Sequence, residues 1–293
     1  MPNPAKRLAG VYAAPTTPRD DDGRVHAGAL AHMLEFLMEG GVRGFAVNGA
    51  TGEFCLNSPQ ELGRMLETVV RTVEGKGRFL CGIGAADLRG AVENGRVAIA
   101  AGAEAVLLPM PYFFPYGQED LRAFCLEAAA QLPVDILLYN LPQFTSGLAI
   151  ETVCELISVC PSIRGIKDSS GSLDLLRVLT TSMPGAVRLV GNDGALPQAL
   201  QEDICDGVVS GVAGAVPELI LPLFENGGAS NRRAIERLDE FIQALDALPV
   251  PWGLKWIAES RGLAPASFPL PLSESRALEG RRLQEWFRQW QDW

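Results

Sequence analysis

The sequence contains very little histidine and no cysteine pair of the kind that binds zinc. Only His26 and His32 occur among the 293 residues, and their spacing misses the i, i+4 spacing by which two histidines on one helix face bind a metal. The six cysteines include no Cys-x-x-Cys pair, which argues against a zinc site or a dithiol redox motif. We therefore expect chemistry without a histidine base or a metal, and buried thiols in a reducing compartment.

Two further absences narrow the possible partners. No stretch reaches the ~18 to 20 uncharged apolar residues of a membrane-spanning helix, and no apolar run with a small-residue cleavage site follows the N-terminus. We expect a cytoplasmic protein without a membrane partner. The 25 basic residues are outnumbered by 35 acidic ones, giving a net charge of −10, which is the wrong sign for a nucleic-acid partner.

Short apolar runs bounded by Gly, Pro or Asn alternate with helix-like segments eight times. They recur roughly every 20 to 35 residues, a spacing typical of βα units. The predicted strands cover residues 10–14, 43–48, 79–84, 105–109, 134–140, 163–167, 187–191 and 207–210. Eight repeats favour an α/β fold, a closed (β/α)8 TIM barrel. An open doubly wound sheet is the alternative, but no Gly-x-Gly-x-x-Gly fingerprint follows the first strand.

The pattern changes after Pro217. Three helices are predicted at residues 232–248, 252–261 and 273–291, separated by proline-containing turns. We therefore predict two parts. Residues 1–225 form the barrel and carry the active site, and residues 226–293 form a C-terminal helical appendage.

Polar side chains at the C-terminal ends of barrel strands face the active-site mouth. Lys167 ends the sixth predicted strand, and a lysine desolvated there is the nucleophile that forms a Schiff base with a carbonyl carbon. Tyr139 ends the neighbouring fifth strand, where a phenol can transfer protons. Taken singly, each residue also fits an ordinary role, as a lysine at the barrel rim or as a buried tyrosine.

The loop after the second predicted strand has two glycines, Gly49 and Gly52, around Ala50 and Thr51. Glycines let the backbone approach a ligand and expose successive N–H groups to an anion. A small carboxylate such as that of pyruvate would fit this loop, and a plain turn is the alternative. Three such features at strand ends favour the functional interpretation.

Together these residues resemble the pyruvate-dependent class I aldolase superfamily typified by dihydrodipicolinate synthase and N-acetylneuraminate lyase. The matching motifs are Thr17-Pro18, Gly49-x-Thr51-Gly52-Glu53, Pro111-Tyr112, Tyr139-Asn140-x-Pro142, Gly165-x-Lys167-Asp168 and residues 207–211. The resemblance implies a (β/α)8 barrel with C-terminal helices, commonly assembled as a homotetramer, a dimer of dimers. It also implies that Lys167 is the Schiff-base lysine, that Tyr139 is the proton relay, and that the covalent imine replaces any cofactor.

The resemblance also assigns the residues around the bound keto acid. Its carboxylate would lie at Ala50 and Thr51, and the backbones of Gly191 and Val209 would line the site. Beyond these, the polar residues Ser169, Ser170, Asn192 and Asp193 could bind sugar hydroxyls, although turns and helix caps use serine equally well.

Three departures from the family pattern bear on the substrate. Ala50 stands where the synthase and sialic-acid branches have Thr or Ser, and Phe113 where they have a second tyrosine. These hydroxyls would complete a relay triad, so the relay is either shorter or runs through Thr51, Tyr112 or water. Phe144 stands where the synthase branch has an arginine for the carboxylate of aspartate semialdehyde. A buried carboxylate without a cation is costly, which argues against dihydrodipicolinate synthase proper.

The sequence therefore predicts a Schiff-base lyase that cleaves or condenses a 2-keto acid, specifically a 2-keto-3-deoxy sugar acid, to pyruvate and an aldehyde. The alternatives are a 5-dehydro-4-deoxyglucarate-type dehydratase, dihydrodipicolinate synthase itself, or a catalytically silent barrel that binds a keto acid. The predicted catalytic residues are Lys167, Tyr139 and Thr51. The predicted substrate-binding residues are Gly49, Ala50, Tyr112, Ser169, Gly191, Asp193 and Val209.

Overall fold

The structure is a closed barrel of parallel strands. A computed structural model describes residues 7–225 and 228–291. Each strand pairs with the next in chain order, and the last pairs with the first. The strands are β1 (Gly10–Ala13), β2 (Gly44–Val47), β3 (Arg78–Gly82), β4 (Ala105–Pro109), β5 (Ile136–Asn140), β6 (Ile163–Asp168), β7 (Val187–Val190) and β8 (Gly207–Ser210). The predicted (β/α)8 barrel is confirmed, and every predicted strand overlaps an observed one.

Helices follow the strands and surround the barrel. After β1 to β7 come α1 (Ala27–Glu39), α2 (Pro59–Val73), α3 (Leu88–Ala100), α4 (Gln118–Gln131), α5 (Ile150–Val159), α6 (Asp174–Ser182) and α7 (Leu196–Gln201). The start of α2 shows how the sequence sets these bounds. The Ser58 side chain accepts a hydrogen bond from the Glu61 N–H, and Pro59 occupies the first turn, where its missing N–H costs nothing.

The core has two layers, because successive side chains of each strand point to opposite faces and both faces are covered. The barrel interior is filled by a buried cluster that includes Tyr12, Leu80, Leu137 and Leu189. A larger cluster lies between the strands and the surrounding helices. The predicted site residue Tyr139 belongs to the inner cluster, so its side chain points into the barrel.

Three helices follow the barrel, as predicted: α8 (Arg232–Leu245), α9 (Trp252–Ser260) and α10 (Glu274–Trp290). The aromatic face of α10 packs on Phe241 of α8, with Trp290 at 5.7 Å and Phe287 at 6.1 Å between ring centroids. The predicted boundary between residues 225 and 226 adjoins residues 226 and 227, which lie outside the described part of the chain, and this division stays a prediction.

The cysteines differ from expectation at four positions, since Cys154, Cys160 and Cys205 are only partly buried. Cys81 and Cys125 are buried, but Cys55 is exposed, because the short helical turn that carries it lies on the surface. The expectation that all six thiols are buried is therefore wrong. Within residues 7–225 and 228–291, none of the helices is long and apolar enough to cross a membrane.

Candidate active site

Lys167 and Tyr139 lie side by side on neighbouring strands. They are direct partners in the register of β5 and β6, and the Lys167 Nζ lies 3.9 Å from the centroid of the Tyr139 ring. Lys167 is only 4% exposed, and its amine has no hydrogen bond or ion pair with any residue in the described part of the chain. A buried amine without a carboxylate partner is available to react with a ligand carbonyl.

The chain has only four lysines, so this environment can be compared with the others directly. Lys76 is exposed, and Lys6 lies outside the described residues. Lys255 is buried, but its Nζ is 2.6 Å from the Glu53 Oε2 and 2.6 Å from the Ser267 carbonyl oxygen. Among the described lysines, Lys167 alone combines burial with the lack of a carboxylate partner.

Close packing around β6 and β7 positions Lys167. A Cβ atom at Gly191 would lie 2.8 Å from the Lys167 Cε and 2.1 Å from the Ser169 Oγ, so only glycine leaves room for these side chains. The Ser169 hydroxyl donates to the Gly191 carbonyl oxygen at 3.0 Å, and the Asn140 amide donates to Asp168 at 3.0 Å. These contacts tie the ends of β5, β6 and β7 together around the lysine.

The loop after β2 presents free backbone donors. The Thr17 hydroxyl donates to the Gly52 carbonyl oxygen at 2.7 Å, and Asn48 and Glu53 both adopt the left-handed conformation with φ of 55°. The N–H groups of Ala50 and Thr51 find no acceptor among the described residues. Two such donors beside a cavity favour the binding of an anion.

The same loop is attached to the C-terminal helices by a buried ion pair. Glu53 and Lys255 are both buried, and burial lowers the pKa of the Lys255 amine although the Glu53 carboxylate acts in the opposite direction. The pair connects the loop that carries Ala50 and Thr51 to α9. Sequence reasoning missed this contact, since the two residues are 202 positions apart.

Asp193, just after β7, has one satisfied and one unsatisfied carboxylate oxygen. Its Oδ2 accepts from the Val212 N–H at 3.1 Å, whereas its Oδ1 is buried without a hydrogen-bond partner among the described residues. Burial raises the pKa of this carboxyl, and the nearby Ser210 hydroxyl, the Val212 N–H and the Lys167 amine offset the rise only in part. A buried acceptor without a partner is costly, so Asp193 is suited to contact a ligand.

We expect Asp193→Asn to stabilise the fold at neutral pH. The pKa of the Asp193 carboxyl is higher in the folded protein than in the unfolded chain. At a pH between these two pKa values the folded protein therefore binds more protons than the unfolded chain, and the free energy of unfolding falls as the pH rises through this range. The gain from the substitution should vanish at low pH, where the carboxyl is protonated in both states. Urea unfolding across the pH range measures this gain, and a difference that is the same at every pH would contradict the expectation.

These residues surround a cavity of about 390 Å³ at the C-terminal end of the barrel. The cavity is lined by eight of the ten predicted site residues: Ala50, Thr51, Tyr139, Lys167, Ser169, Gly191, Asp193 and Val209. Gly49 and Tyr112 are not among the lining residues. Gly49 is a buried residue of the loop, and the Tyr112 ring packs on Phe54 at 5.8 Å between centroids.

One side of the cavity was not foreseen from the sequence. It includes Leu141, Gln143 and Phe144 from the loop after β5. Further lining residues come from α8, α9 and the turn between them: Ile242, Leu245, Asp246, Leu248, Val250 and Leu254. Their apolar spacing on α8 is that of a packing face, so the pattern alone carries no signal for a ligand contact.

Tyr139, the predicted relay tyrosine, has no second hydroxyl hydrogen-bonded to it in the described part of the chain. The Tyr139 hydroxyl makes no hydrogen bond to another residue in the described ranges. The Phe113 side chain is 86% exposed. The Thr51 Oγ1 lies beside Gly211, at 3.2 Å from the position that a Cβ atom on Gly211 would take. Among the described residues that line the cavity, Tyr139 is therefore the one phenol beside Lys167. The structure also holds no cluster of three or more His, Cys, Asp or Glu side chains suited to a metal ion within the ranges it describes.

Comparison with known proteins gives a consistent result. A model of the dihydrodipicolinate synthetase family matches residues 7–286. The 4-hydroxy-tetrahydrodipicolinate synthase of Thioalkalivibrio sulfidiphilus is 31% identical over 271 residues, which cover 90% of this chain and 91% of that protein. The dihydrodipicolinate synthase structure from Aquifex aeolicus has a TM-score of 0.88 at 24% identity, covering 97% of this chain and 98% of that one. The sialic acid aldolase structure from Ruminococcus gnavus has a TM-score of 0.85 at 22% identity, covering 97% and 98%. At these identities the two structures support the fold alone.

Proposed function

Because the chain belongs to the dihydrodipicolinate synthetase family, we propose that the amine of Lys167 forms an imine with C2 of a 2-keto acid. Enzymes of this family are lyases that hold pyruvate as a lysine Schiff base and use no external cofactor, and the chain is a lyase of this kind. The observation that carries the assignment to Lys167 is its buried amine, which lacks a carboxylate partner and lies 3.9 Å from the Tyr139 ring centroid.

The proposed reaction follows from the positions of these groups. The Lys167 amine adds to the C2 carbonyl, and Tyr139 donates its proton to the hydroxyl that leaves as water, which gives the protonated imine and the Tyr139 phenolate. The bond between C3 and C4 then breaks, and its electron pair moves into the imine to form an enamine. Tyr139 accepts the proton of the C4 hydroxyl, so that C4 leaves as an aldehyde, and returns the proton to C3. Addition of water then releases pyruvate and restores the free amine.

The loop after β2 is proposed to hold the keto-acid carboxylate. The free N–H groups of Ala50 and Thr51 can donate to it, and the cationic imine lies in the same cavity. Because the protein carries a net charge of −10, attraction of an anionic substrate has to come from these local groups. The Thr51 hydroxyl also lines the cavity, where it is a candidate for assisting proton transfer.

The substrate predicted from the sequence is a 2-keto-3-deoxy sugar acid. The unpartnered Asp193 Oδ1 supports a hydroxyl on the substrate, and Ser169 and the Gly191 and Val209 backbones border the same space. Phe144 lines the cavity where the synthase branch would have a cation, which argues against dihydrodipicolinate synthase proper. A dehydratase would share the imine, so assays for pyruvate and for the dehydrated keto acid distinguish the two reactions.

We expect Tyr139→Phe to lower kcat for cleavage by ~10²-fold, because a positioned general acid–base contributes about that much. The imine with pyruvate should still form, since Lys167 is unchanged. Steady-state pyruvate release and borohydride trapping measure the two effects separately. Tyr116→Phe, on an exposed residue outside the cavity, is the matched control, and equal losses in both variants would argue against the relay role.

We also propose that the chain assembles as a homotetramer, a dimer of dimers. Phe113 and Phe114 are exposed and contact each other edge to face with centroids 4.8 Å apart, and exposed aromatic patches are typical of protein interfaces. Light scattering should give four chains per particle, and a monomer at micromolar concentration would contradict the proposal. A cytoplasmic location stays a prediction from the sequence.

A further inference from the structure

The cavity beside Lys167 has a continuous apolar side. We call it the apolar wall and define it by six residues: Phe144, Ile242, Leu245, Leu248, Val250 and Leu254. The wall approaches the loops that carry the polar groups. A Cβ atom added to Gly194 would lie 3.7 Å from the Ile242 Cδ1, and a Cβ atom added to Gly211 would lie 3.2 Å from the Leu254 Cδ1.

The cavity is larger than a keto acid alone requires. Its volume of about 390 Å³ corresponds to roughly a dozen groups the size of a water molecule. It therefore has room for the aldehyde half of a substrate beside pyruvate. The wall belongs to the same cavity as Lys167 and Tyr139, so a substrate that reaches beyond the cleaved bond meets it.

The charges around the cavity disfavour a second anionic group on the substrate. Among the described lining residues Lys167 is the only cation, whereas Asp193 and Asp246 are both acidic. The amine of Lys167 is used by the imine, and the N–H groups of Ala50 and Thr51 serve the first carboxylate. A second carboxylate would lie near two acids without a cation, which disfavours its binding.

Several polar groups around the cavity are already hydrogen-bonded within the protein. The Ser169 hydroxyl donates to the Gly191 carbonyl oxygen, the Gln143 amide donates to the Ser169 carbonyl oxygen, and the Asn192 Oδ1 accepts from the N–H groups of Gly194 and Ala195. The Asp193 Oδ1 is the buried acceptor left without a partner. A substrate hydroxyl can be bound there, whereas hydroxyls that reach the apolar wall would lie against hydrocarbon.

We propose that the aldehyde half of the substrate is uncharged and apolar beyond its carbonyl carbon, as in a short aliphatic or aryl aldehyde. This inference rests on the imine chemistry of the proposed function, and it replaces the hydroxylated aldehyde half of a 2-keto-3-deoxy sugar acid by an apolar one. In the condensation direction, C3 of the enamine bonds to the aldehyde carbon, Tyr139 donates a proton to the resulting alkoxide, and water releases a 4-hydroxy-2-oxo acid from Lys167. A sugar-derived aldehyde then becomes a poorer partner than an apolar one.

The test compares aldehydes of similar length in condensation with pyruvate. Butanal, glyceraldehyde and succinic semialdehyde represent an apolar, a hydroxylated and an anionic partner, with product formation followed by mass spectrometry. We expect kcat/KM for butanal to exceed that for glyceraldehyde by ~10-fold or more and that for succinic semialdehyde by ~10²-fold or more, since an apolar pocket discriminates on this scale. Equal or better use of either polar aldehyde, or no product from any of the three, overturns the inference.

Borohydride trapping with pyruvate in the same preparation separates this outcome from failure of the proposed function. Trapping at Lys167 without a preference for butanal refutes only the proposal of an apolar aldehyde half. Absence of trapping refutes the imine at Lys167 and with it the proposed function. Phe144→Arg adds a cation to the wall and should improve succinic semialdehyde relative to butanal by ~10-fold. The matched control is Val159→Arg on α5, outside the cavity. Val159 is 52% exposed and Phe144 is 56% exposed, so this variant should leave the aldehyde preference unchanged. An unchanged preference in Phe144→Arg would show that the aldehyde does not reach the wall.

Discussion

Replacement of Lys167 by alanine is expected to abolish formation of the pyruvate imine and to lower kcat/KM by at least ~10³-fold, because the covalent intermediate then has no nucleophile to form on. The amine is buried, adjoins Tyr139, and has no carboxylate partner in the described part of the chain. Neither the Tyr139 hydroxyl nor the Thr51 hydroxyl can form an imine in its place.

The measurement is reduction with borohydride in the presence of pyruvate, followed by peptide mass spectrometry. With only four lysines in the chain, the modified peptide identifies the residue without ambiguity. Lys76→Ala, at an exposed lysine, is the matched control and should trap pyruvate as the wild type does. An adduct that persists in Lys167→Ala, or one on Lys255, would refute the assignment.

Loss of activity in this variant must be separated from loss of folding. Lys167 is packed inside the barrel, and its hydrocarbon chain contributes to that packing. Lys167→Met keeps most of this volume and removes only the amine. We expect it to unfold at a urea concentration close to that of the wild type and to be as inactive as the alanine variant.

Periodicity predicted the barrel and the neighbouring positions of Lys167 and Tyr139, because both depend on the order of residues within single strands. A strand that ends in Lys167 and a neighbouring strand that ends in Tyr139 must bring the two side chains to one edge of a parallel sheet. The observed register, in which these residues are direct partners, follows from that rule. The loop with Ala50 and Thr51 reaches the same edge for the same reason.

The apolar wall could not be predicted in this way. Ile242 and Leu245 are three positions apart on α8, a spacing that fits a buried helix face whether protein or ligand covers it. Tyr112, which the sequence places at the substrate, packs its ring on Phe54, and its contact with substrate stays a prediction. The hydrophobic pattern of a sequence predicts the direction of a side chain. The group that this side chain contacts depends on how elements distant in the sequence pack together.

The pair formed by Lys255 and Glu53 is the clearest case of such a distant contact, and its disruption should cost the most stability. Lys255→Met leaves the Glu53 carboxylate buried without a cation and the Ser267 carbonyl oxygen without this donor. Removing one partner of a buried pair typically costs about 3–5 kcal/mol. We expect the free energy of unfolding to fall by about that amount, as measured in urea.

A double-mutant cycle distinguishes the pair from general packing. Glu53→Gln alone should leave the Lys255 ammonium unpaired, whereas the double variant Lys255→Met, Glu53→Gln removes both charges and should lose less than the sum of the single variants. Because Glu53 ends the loop whose Ala50 and Thr51 donors are proposed to hold the carboxylate, the single variants should also need more pyruvate for half-maximal trapping at Lys167. Additive losses of stability would show that the ion pair does not couple the two residues. Half-maximal trapping at an unchanged pyruvate concentration would show that the ion pair does not position the loop.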